Sequence, residues 1–312
     1  MKIVFLDAAT LGNTPLDEIA ALGELVTYPF SSPEEARERV GDCDVLIVNK
    51  VRVDEALLSR APHLRLICEA ATGVNNIDLD AAAARGIPVR NCAGYSTESV
   101  VQSTFAHLLS LAGHLPYFDD SVKSGRYSAG RIFCDISHPY TELDGKTLGI
   151  IGMGTIGTRV AAVATAFGMR VVYFSTSGTS HNTDYPSLPL GELLAESDAV
   201  SIHAPLNART QGLIGAEQLR KMKPTAFLLN LGRGGIVDEA ALAEAVDAGI
   251  IAGAALDVYV REPIPADNPL LLVRHPERLR FTPHIAWASW EALIRLVSQV
   301  AANIRGTVLA ND

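Results

Sequence analysis

The sequence predicts an α/β protein made of two units, each a parallel sheet covered by helices. Three observations carry that prediction. Short apolar runs alternate with amphipathic segments along almost the whole chain. The runs are continuously rich in Val, Ile and Leu, as strands covered on both faces must be. Helix-start and helix-stop residues bracket several of the segments between them.

In the first unit the expected strands are "KIVFLDA", "DVLIVNK", "LRLICEA" and "IPVRN". "SSPEEARERVG" is an expected helix: Ser32 as N-cap, Pro33 at the first helical position, Glu35 closing a capping box and Gly41 at the end. "STESVVQSTFAHLLSLAGHL" (96–115) follows as a long helix that Ser96 or Thr97 could cap. The stretch from Pro116 to Thr147 has weak periodicity and several turn residues. It is too long for an ordinary connection, so it is expected to pack against something else, a second subunit included.

The second unit opens at "TLGIIGMGTIG". Its later strands are expected at "RVVYFS", "AVSIHAP", "AFLLNLG", "AGAALDV" and "LRFTPH". Its helices are expected at "TRVAAVATAFG", "LGELLAES" and "DEAALAEAVDAG", the last with Asp238 as N-cap and Gly249 past its end. An amphipathic helix, "WASWEALIRLVSQVAANIRG", closes the chain.

At 312 residues there is room for two cores. The net charge of −9 argues against nucleic-acid and anionic-membrane partners, which need basic patches. No apolar run reaches membrane-spanning length, and "MKIVFLDAAT" is a strand start rather than a signal peptide. Cys43, Cys68, Cys92 and Cys134 form no CxxC pair, so reduced, mostly buried thiols in a cytoplasmic protein are expected, with no metal site.

"LGIIGMGTIGTRVA" contains Gly152-x-Gly154-x-x-Gly157 between an apolar strand and a helix of small residues. That context makes it a dinucleotide site. Gly152 allows the tight turn, Gly154 the approach of a pyrophosphate, and Gly157 close helix–strand packing. The pyrophosphate would sit on the N–H groups at the helix start. The next strand ends near Ser175, eighteen positions past Gly157, where a ribose-binding carboxylate belongs. This chain has Ser175, Thr176 and Ser177 instead. Without an acid the repulsion of a 2′-phosphate disappears, so NADP(H) is expected to be preferred and NAD(H) to remain possible. No Arg or Lys lies between 171 and 191. The nearest groups for a phosphate are His181 and Arg159.

Three further stretches end expected strands, where open α/β sheets bind ligands. "LLNLGRGGIVDE" carries Arg233, "ALDVYVREP" carries Asp257 and Glu262, and "RFTPHIAW" carries His284. An Arg, a Glu and a His around a nicotinamide suit carbonyl reduction. The guanidinium can clamp an α-keto carboxylate and polarise the carbonyl. The imidazole can deliver the hydroxyl proton, and a Glu on its other nitrogen would favour the protonated ring.

The motifs "ATGVNNID" (71–78), "NCAGYSTESVVQ" (91–102), "LGIIGMGTIG" (148–157), "HAPLN" (203–207), "LNLGRGGIVDE" (229–239), "ALDVYVREP" (255–263) and "TPHIAW" (282–287) occur in that order. With them the chain resembles the D-isomer-specific 2-hydroxyacid dehydrogenases over almost its whole length. It is most similar to the hydroxypyruvate reductase and glycerate dehydrogenase group. The resemblance implies a Rossmann-type doubly wound nucleotide domain over 98–287. It also implies a smaller flavodoxin-like α/β substrate domain formed by 1–97 and 288–312.

Arg233, Glu262 and His284 are implied as the catalytic three, acting on a small 2-keto acid. Cofactor contacts are implied at Gly152, Gly154, Thr155, Ile156, Gly157, Ser175, Thr176, Ser177, Ala204, Pro205, Leu231, Gly232 and Asp257. Asp257 is assigned the nicotinamide amide. Thr72, Gly73 and Val74 are implied, with Arg233, for the substrate carboxylate. A homodimer is implied, joined through the nucleotide domain and the arm at about 115–146. Thr72 and Asn75 stand where relatives often have Ala and Asp, and Gln102 where many have Glu. Phosphoglycerate dehydrogenase is the nearest rival, and a nucleotide-sensing corepressor on the same scaffold is the rival from another class.

Overall fold

The structure is a computed structural model and describes residues 1–179 and 182–309. The chain divides into two compact units. One is Met1–Ser96 with the chain from Ala288 onward, and the other is Thr97–Trp287.

In the first unit, β1 (Lys2–Phe5), β2 (Glu24–Thr27), β3 (Val45–Val48), β4 (Leu66–Glu69) and β5 (Val89–Arg90) form one parallel sheet in the order β2-β1-β3-β4-β5. Helices α1 (Asp17–Ala20), α2 (Pro33–Arg39), α3 (Glu55–Leu58) and α4 (Leu79–Ala84) connect them. Every residue of β3 and β4 is buried. Val4, Leu46, Val48 and Ile67 pack with Ala36, Leu57 and Ala82 of the helices into one core.

The capping box of α2 is present: the Ser32 side chain accepts from Glu35 N, and the Glu35 carboxylate accepts from Ser32 N. Such caps contribute about 1 kcal/mol. Gly41 is not the stop; Val40 ends the helix in right-handed conformation. β2 has no counterpart among the expected strands. "ELVT" is an edge strand with both end residues exposed, and its pairing with β1, not an apolar run, makes it a strand.

The second unit begins with α5 (Thr97–Ala112) and α6 (Leu115–Lys123). The first nine residues of the arm expected to be irregular are thus helical. Ile132, Phe133, Ile136 and Tyr140, later in the arm, are exposed. The strands are β6 (Thr147–Ile151), β7 (Arg170–Phe174), β8 (Ala199–Ile202), β9 (Phe227–Asn230), β10 (Gly253–Leu256) and β11 (Leu279–Phe281). All pair in parallel in the order β11-β10-β9-β8-β6-β7. Ser187 adds a single bridge outside β7, at Tyr173.

Helices α7 (Thr155–Ala166), α8 (Leu190–Glu196), α9 (Ala216–Leu219) and α10 (Glu239–Asp247) complete this unit. One face of the sheet is covered by Leu193, Leu219, Leu242 and Val246, the other by Phe105, Leu108, Val160 and Ala164. Asp238 caps α10 by accepting from Ala240 N and Ala241 N, and Gly249 follows the helix with φ of 67°.

Helix α11 (Trp290–Ile304), capped by Ser289, packs on α1 and β4 of the first unit and continues into a π-helical turn at Arg305–Leu309. Asn303 Nδ2 donates to Asn91 O and Arg295 Nε to Tyr95 O, which ties this distant segment to the N-terminal sheet. Cys43, Cys68 and Cys92 are buried free thiols, and burial pushes Cys43 and Cys92 up to about 12. No helix among the described residues is long and apolar enough to cross a membrane.

Candidate active site

In the second unit, β6 lies between β7 and β8, so the chain leaves β6 to opposite sides in its next two strands. That is the switch point of a doubly wound sheet, where ligands bind beyond the strand ends. The glycine turn sits there. Gly152 adopts φ of 96°, a left-handed value that costs other residues steric energy. A Cβ on Gly157 would collide with the Gly152 carbonyl oxygen, so α7 packs this closely against the turn only with glycine present.

Gly154 is the N-cap of α7, and a Cβ there would meet nothing within 4 Å. The turn is therefore open on the side where Thr155 and Ile156 begin the helix and its N–H groups point outward. A cavity of about 320 Å³ lies beside it, lined by Gly152, Gly154, Ser175, Thr176, Ser177 and Pro205 among others. Ala204 is buried after β8, and Leu231 and Gly232 are buried after β9. This cradle fits a dinucleotide.

Ser175 and Ser177 are in the lining, but their hydroxyl protons are engaged. Ser175 Oγ donates to Thr179 O at 2.7 Å and Ser177 Oγ to the same oxygen at 2.8 Å. The sequence offers these hydroxyls to a phosphate; the structure turns them into their own loop. Arg159 is also committed elsewhere, its Nε 2.8 Å from Glu98 Oε1. His181 lies outside the described residues. Arg209, distant in sequence, does reach the loop: its Nη1 donates to Ser177 O at 2.8 Å.

The three charged residues project from the loops after β9, β10 and β11. Buried Asn230 shapes the first loop: its Oδ1 accepts from Gly232 N at 3.2 Å and its Nδ2 donates to Arg233 O at 3.0 Å. Arg233 Nη1 donates to Gly232 O. The next residue, Gly234, lies so close to the backbone of Tyr259 that a Cβ would overlap the Tyr259 carbonyl. That contact holds the Arg233 loop against the loop carrying Glu262.

Glu262 Oε1 accepts from Tyr259 N at 3.0 Å, and its Oε2 lies 2.6 Å from His284 Nδ1. His284 has φ of 54°, uncommon for a residue with a Cβ. Such a conformation persists where its surroundings over-determine it. Asp257, 1% exposed, supplies the restraint: Oδ1 accepts from Thr282 Oγ1 and Ile285 N, and Oδ2 from Ala286 N. Because the Thr282 hydroxyl proton goes to Asp257, His107 Nε2 at 3.1 Å must donate to Thr282 Oγ1. Burial lowers His107 below its ordinary range, which suits a neutral imidazole with its proton on Nε2.

The structure thus brings Glu262 and His284 into direct contact and holds Arg233 one residue from the approach at Gly234. Asp257 is spent largely on the loop that orients His284, and one lone-pair direction on Oδ2 remains. Thr72, Gly73 and Val74 lie in the first unit in the loop after β4. Thr72 Oγ1 donates there to Cys92 O, and Asn91 Nδ2 to Thr72 O. The sequence reading gave no role to Asn230, Thr282, Arg209 or His107. Asn230 stands inside the "LNLGRGG" motif and was findable there. The others carry no local signal. Among the described residues no group of three His, Cys, Asp or Glu side chains could hold a metal ion.

A glycine turn at the switch point of a parallel sheet, opening onto a helix N-terminus, defines a dinucleotide-binding domain. The chain belongs to the D-isomer-specific 2-hydroxyacid dehydrogenases: the profile of that family's NAD binding domain matches residues 105–286. It is an oxidoreductase fold, and its relatives bear that out. The hydroxypyruvate reductase of Blautia hydrogenotrophica is 36% identical over 311 residues, 97% of this chain and 96% of the relative. An acyclic imino acid reductase solved with NADPH and D-Arg superposes with a TM-score of 0.87 at 29% identity, covering 100% of this chain and 98% of that one. The D-lactate dehydrogenase of Aquifex aeolicus, solved with NAD and lactic acid, gives a TM-score of 0.85 at 29% identity, over 99% and 96% of the two chains.

Proposed function

We propose that this dehydrogenase reduces a small 2-keto acid of the hydroxypyruvate or glyoxylate class to the D-2-hydroxy acid. The observation that carries the reading is the 2.6 Å contact between His284 Nδ1 and Glu262 Oε2 on a loop held in left-handed conformation. A reduced nicotinamide coenzyme, held at the turn of Gly152, Gly154 and Gly157, would supply the hydride for the carbonyl carbon. His284 delivers the matching proton to the carbonyl oxygen from Nε2. Glu262 keeps the Nδ1–H bonded throughout, so the ring holds one orientation and one tautomer after the proton leaves. Arg233 binds the carboxylate with its fork of N–H donors and draws charge toward the carbonyl oxygen. The backbone N–H groups of Thr72, Gly73 and Val74 are further donors for a carboxylate, on the strength of the family resemblance.

Two finer readings accompany this one. NADPH is the favoured coenzyme and NADH is tolerated, because the acid that would repel a 2′-phosphate is replaced by Ser175. The chain works as a homodimer in the cytoplasm; the exposed Phe133, Ile136 and Tyr140 on the arm and the buried free thiols support this. Turnover of glyoxylate, hydroxypyruvate, pyruvate and phenylpyruvate with each coenzyme, followed by nicotinamide absorbance, tests the reading. Hydroxypyruvate or glyoxylate should give the highest kcat/KM. A panel with no turnover at all would overturn it.

A further inference from the structure

We propose that Arg209 is the cationic ligand of the coenzyme's 2′-phosphate and that it sets coenzyme selectivity, an inference that rests on the NADPH reading above. Selectivity between the two coenzymes is usually sought in the loop after the second strand of such a sheet, here 175–179. That loop contains no cation. Its Ser175 and Ser177 hydroxyls donate to the Thr179 carbonyl. A phosphate dianion arriving there needs positive charge and free N–H donors, and the loop itself offers little of either.

Arg209 supplies both from the neighbouring strand end. It lies in the loop after β8, and that loop is firmly built. Thr210 is fully buried, and its Oγ1 donates to Pro205 O at 2.6 Å and accepts from Asn207 N at 2.9 Å. Asn207 Oδ1 accepts from Arg209 N at 2.9 Å. These bonds fix the base of the arginine. Its side chain then crosses to the 175–179 loop, where Nη1 donates to Ser177 O and lies against Gly178. Gly178 adopts φ of 80°, and a Cβ there would come within 3.4 Å of the guanidinium.

That single bond uses one of five N–H donors and leaves a planar fork suited to a phosphate. Ser175, Thr176, Asn207 and Arg209 line the same 320 Å³ cavity as Gly152 and Gly154. Among the described residues of that lining there is no carboxylate, and Arg209 is the one permanently charged cation. The cavity therefore presents a guanidinium at one wall and a pyrophosphate turn at another. The two anionic groups on the adenosine half of NADPH, the 2′-phosphate and the 5′-pyrophosphate, match those two walls in kind.

The test uses the 312-residue protein as purified and reads binding, not turnover. Titration calorimetry compares 2′,5′-ADP with 5′-AMP, which lacks only the 2′-phosphate, on the native chain, Arg209→Gln and Arg209→Lys. The native chain should bind 2′,5′-ADP more tightly. Arg209→Gln should weaken 2′,5′-ADP by roughly 10- to 100-fold and leave 5′-AMP within about twofold. Arg209→Lys should fall between, since the charge stays and the fork is lost. The salt dependence of 2′,5′-ADP affinity should flatten in Arg209→Gln.

Equal binding of the two probes by the native chain would overturn the NADPH reading itself. Native discrimination that survives in Arg209→Gln would overturn the role of Arg209 and leave the NADPH reading standing. Equal weakening of both probes would also overturn it, because the arginine would then be acting on the adenosine.

Discussion

His284 Nδ1 lies 2.6 Å from Glu262 Oε2, although 22 residues separate them in sequence. The contact needs two loops from neighbouring strands β10 and β11 to end at the same height. Asp257 arranges this by binding the backbone of Ile285 and Ala286 from the end of β10.

Replacing His284 with Gln should lower kcat by about 10²–10⁴-fold, the usual contribution of a positioned proton donor. Glu262→Gln has one carbonyl oxygen, so in this geometry it accepts from Tyr259 N or from Nδ1–H and not from both. It loses the charge and one of the two bonds but leaves the proton donor in place, so its loss should be smaller. Steady-state kinetics with one keto acid rank the two. Near-native turnover in the His284 variant would remove the assignment.

Gly234→Ala should uncouple the Arg233 loop from the Glu262 loop. Its Cβ would lie 1.8 Å from the Tyr259 carbonyl oxygen, so one loop must move by about 1 Å or more. A misplacement of about 1 Å costs roughly 10²-fold in rate. The expected signature is a fall in kcat/KM for the keto acid with 5′-ADP affinity unchanged by calorimetry. A fully active Gly234→Ala enzyme would show that the approach carries no positioning role.

Ser175→Asp should move coenzyme preference toward NADH. The substitution removes the hydroxyl that donates to Thr179 O and places a carboxylate where a 2′-phosphate would come. Like-charge apposition costs several kcal/mol in the unfavourable case, so the kcat/KM ratio of NADPH to NADH should drop by at least roughly tenfold. A native enzyme that already favours NADH by about tenfold or more would contradict the coenzyme reading.

Glu69 should make stability fall with pH. It is fully buried at the end of β4, and burial pushes its carboxyl from 4.5 up to about 8 against a hydrogen bond from Asn76. Its Oε1 has no hydrogen-bond partner among the described residues. Between 4.5 and about 8 the folded chain holds a proton that the unfolded chain has lost. Stability therefore declines across that window and stays low above it. Glu69→Gln keeps an acceptor for Asn76 and abolishes the titration. Its Tm should lie near the native value at acid pH and exceed it by several degrees at mildly alkaline pH. A Tm difference independent of pH would sink the idea.

Much of the architecture was legible in short windows. The apolar runs mark β1, β3, β4 and all six strands of the second sheet. Ser32 and Glu35 announce α2, and Asp238 announces α10. The glycine turn is legible because Gly152 and Gly157 are required by sterics within one strand–turn–helix unit. Each signal works over a few residues, since a backbone turn, a cap or a buried run is decided by neighbours along the chain.

Contacts between strand ends follow a different rule. β2 is a strand because β1 offers it an edge. Gly234 meets Tyr259, and His107 donates to Thr282, because β9, β10 and β11 are adjacent in the sheet. Ser175 and Ser177 look like phosphate donors in sequence, and only the closed loop shows their protons on Thr179. Arg209 stands 32 residues from Ser177 and reaches it because the loops after β7 and β8 flank β6 at the same end. The sequence by itself determined most of the elements and the dinucleotide turn, through local sterics and hydrogen bonding, and it placed an Arg, a Glu and a His after expected strands. The tertiary structure alone decided which side chains share a site, because strand order, which no local window contains, sets which loops converge.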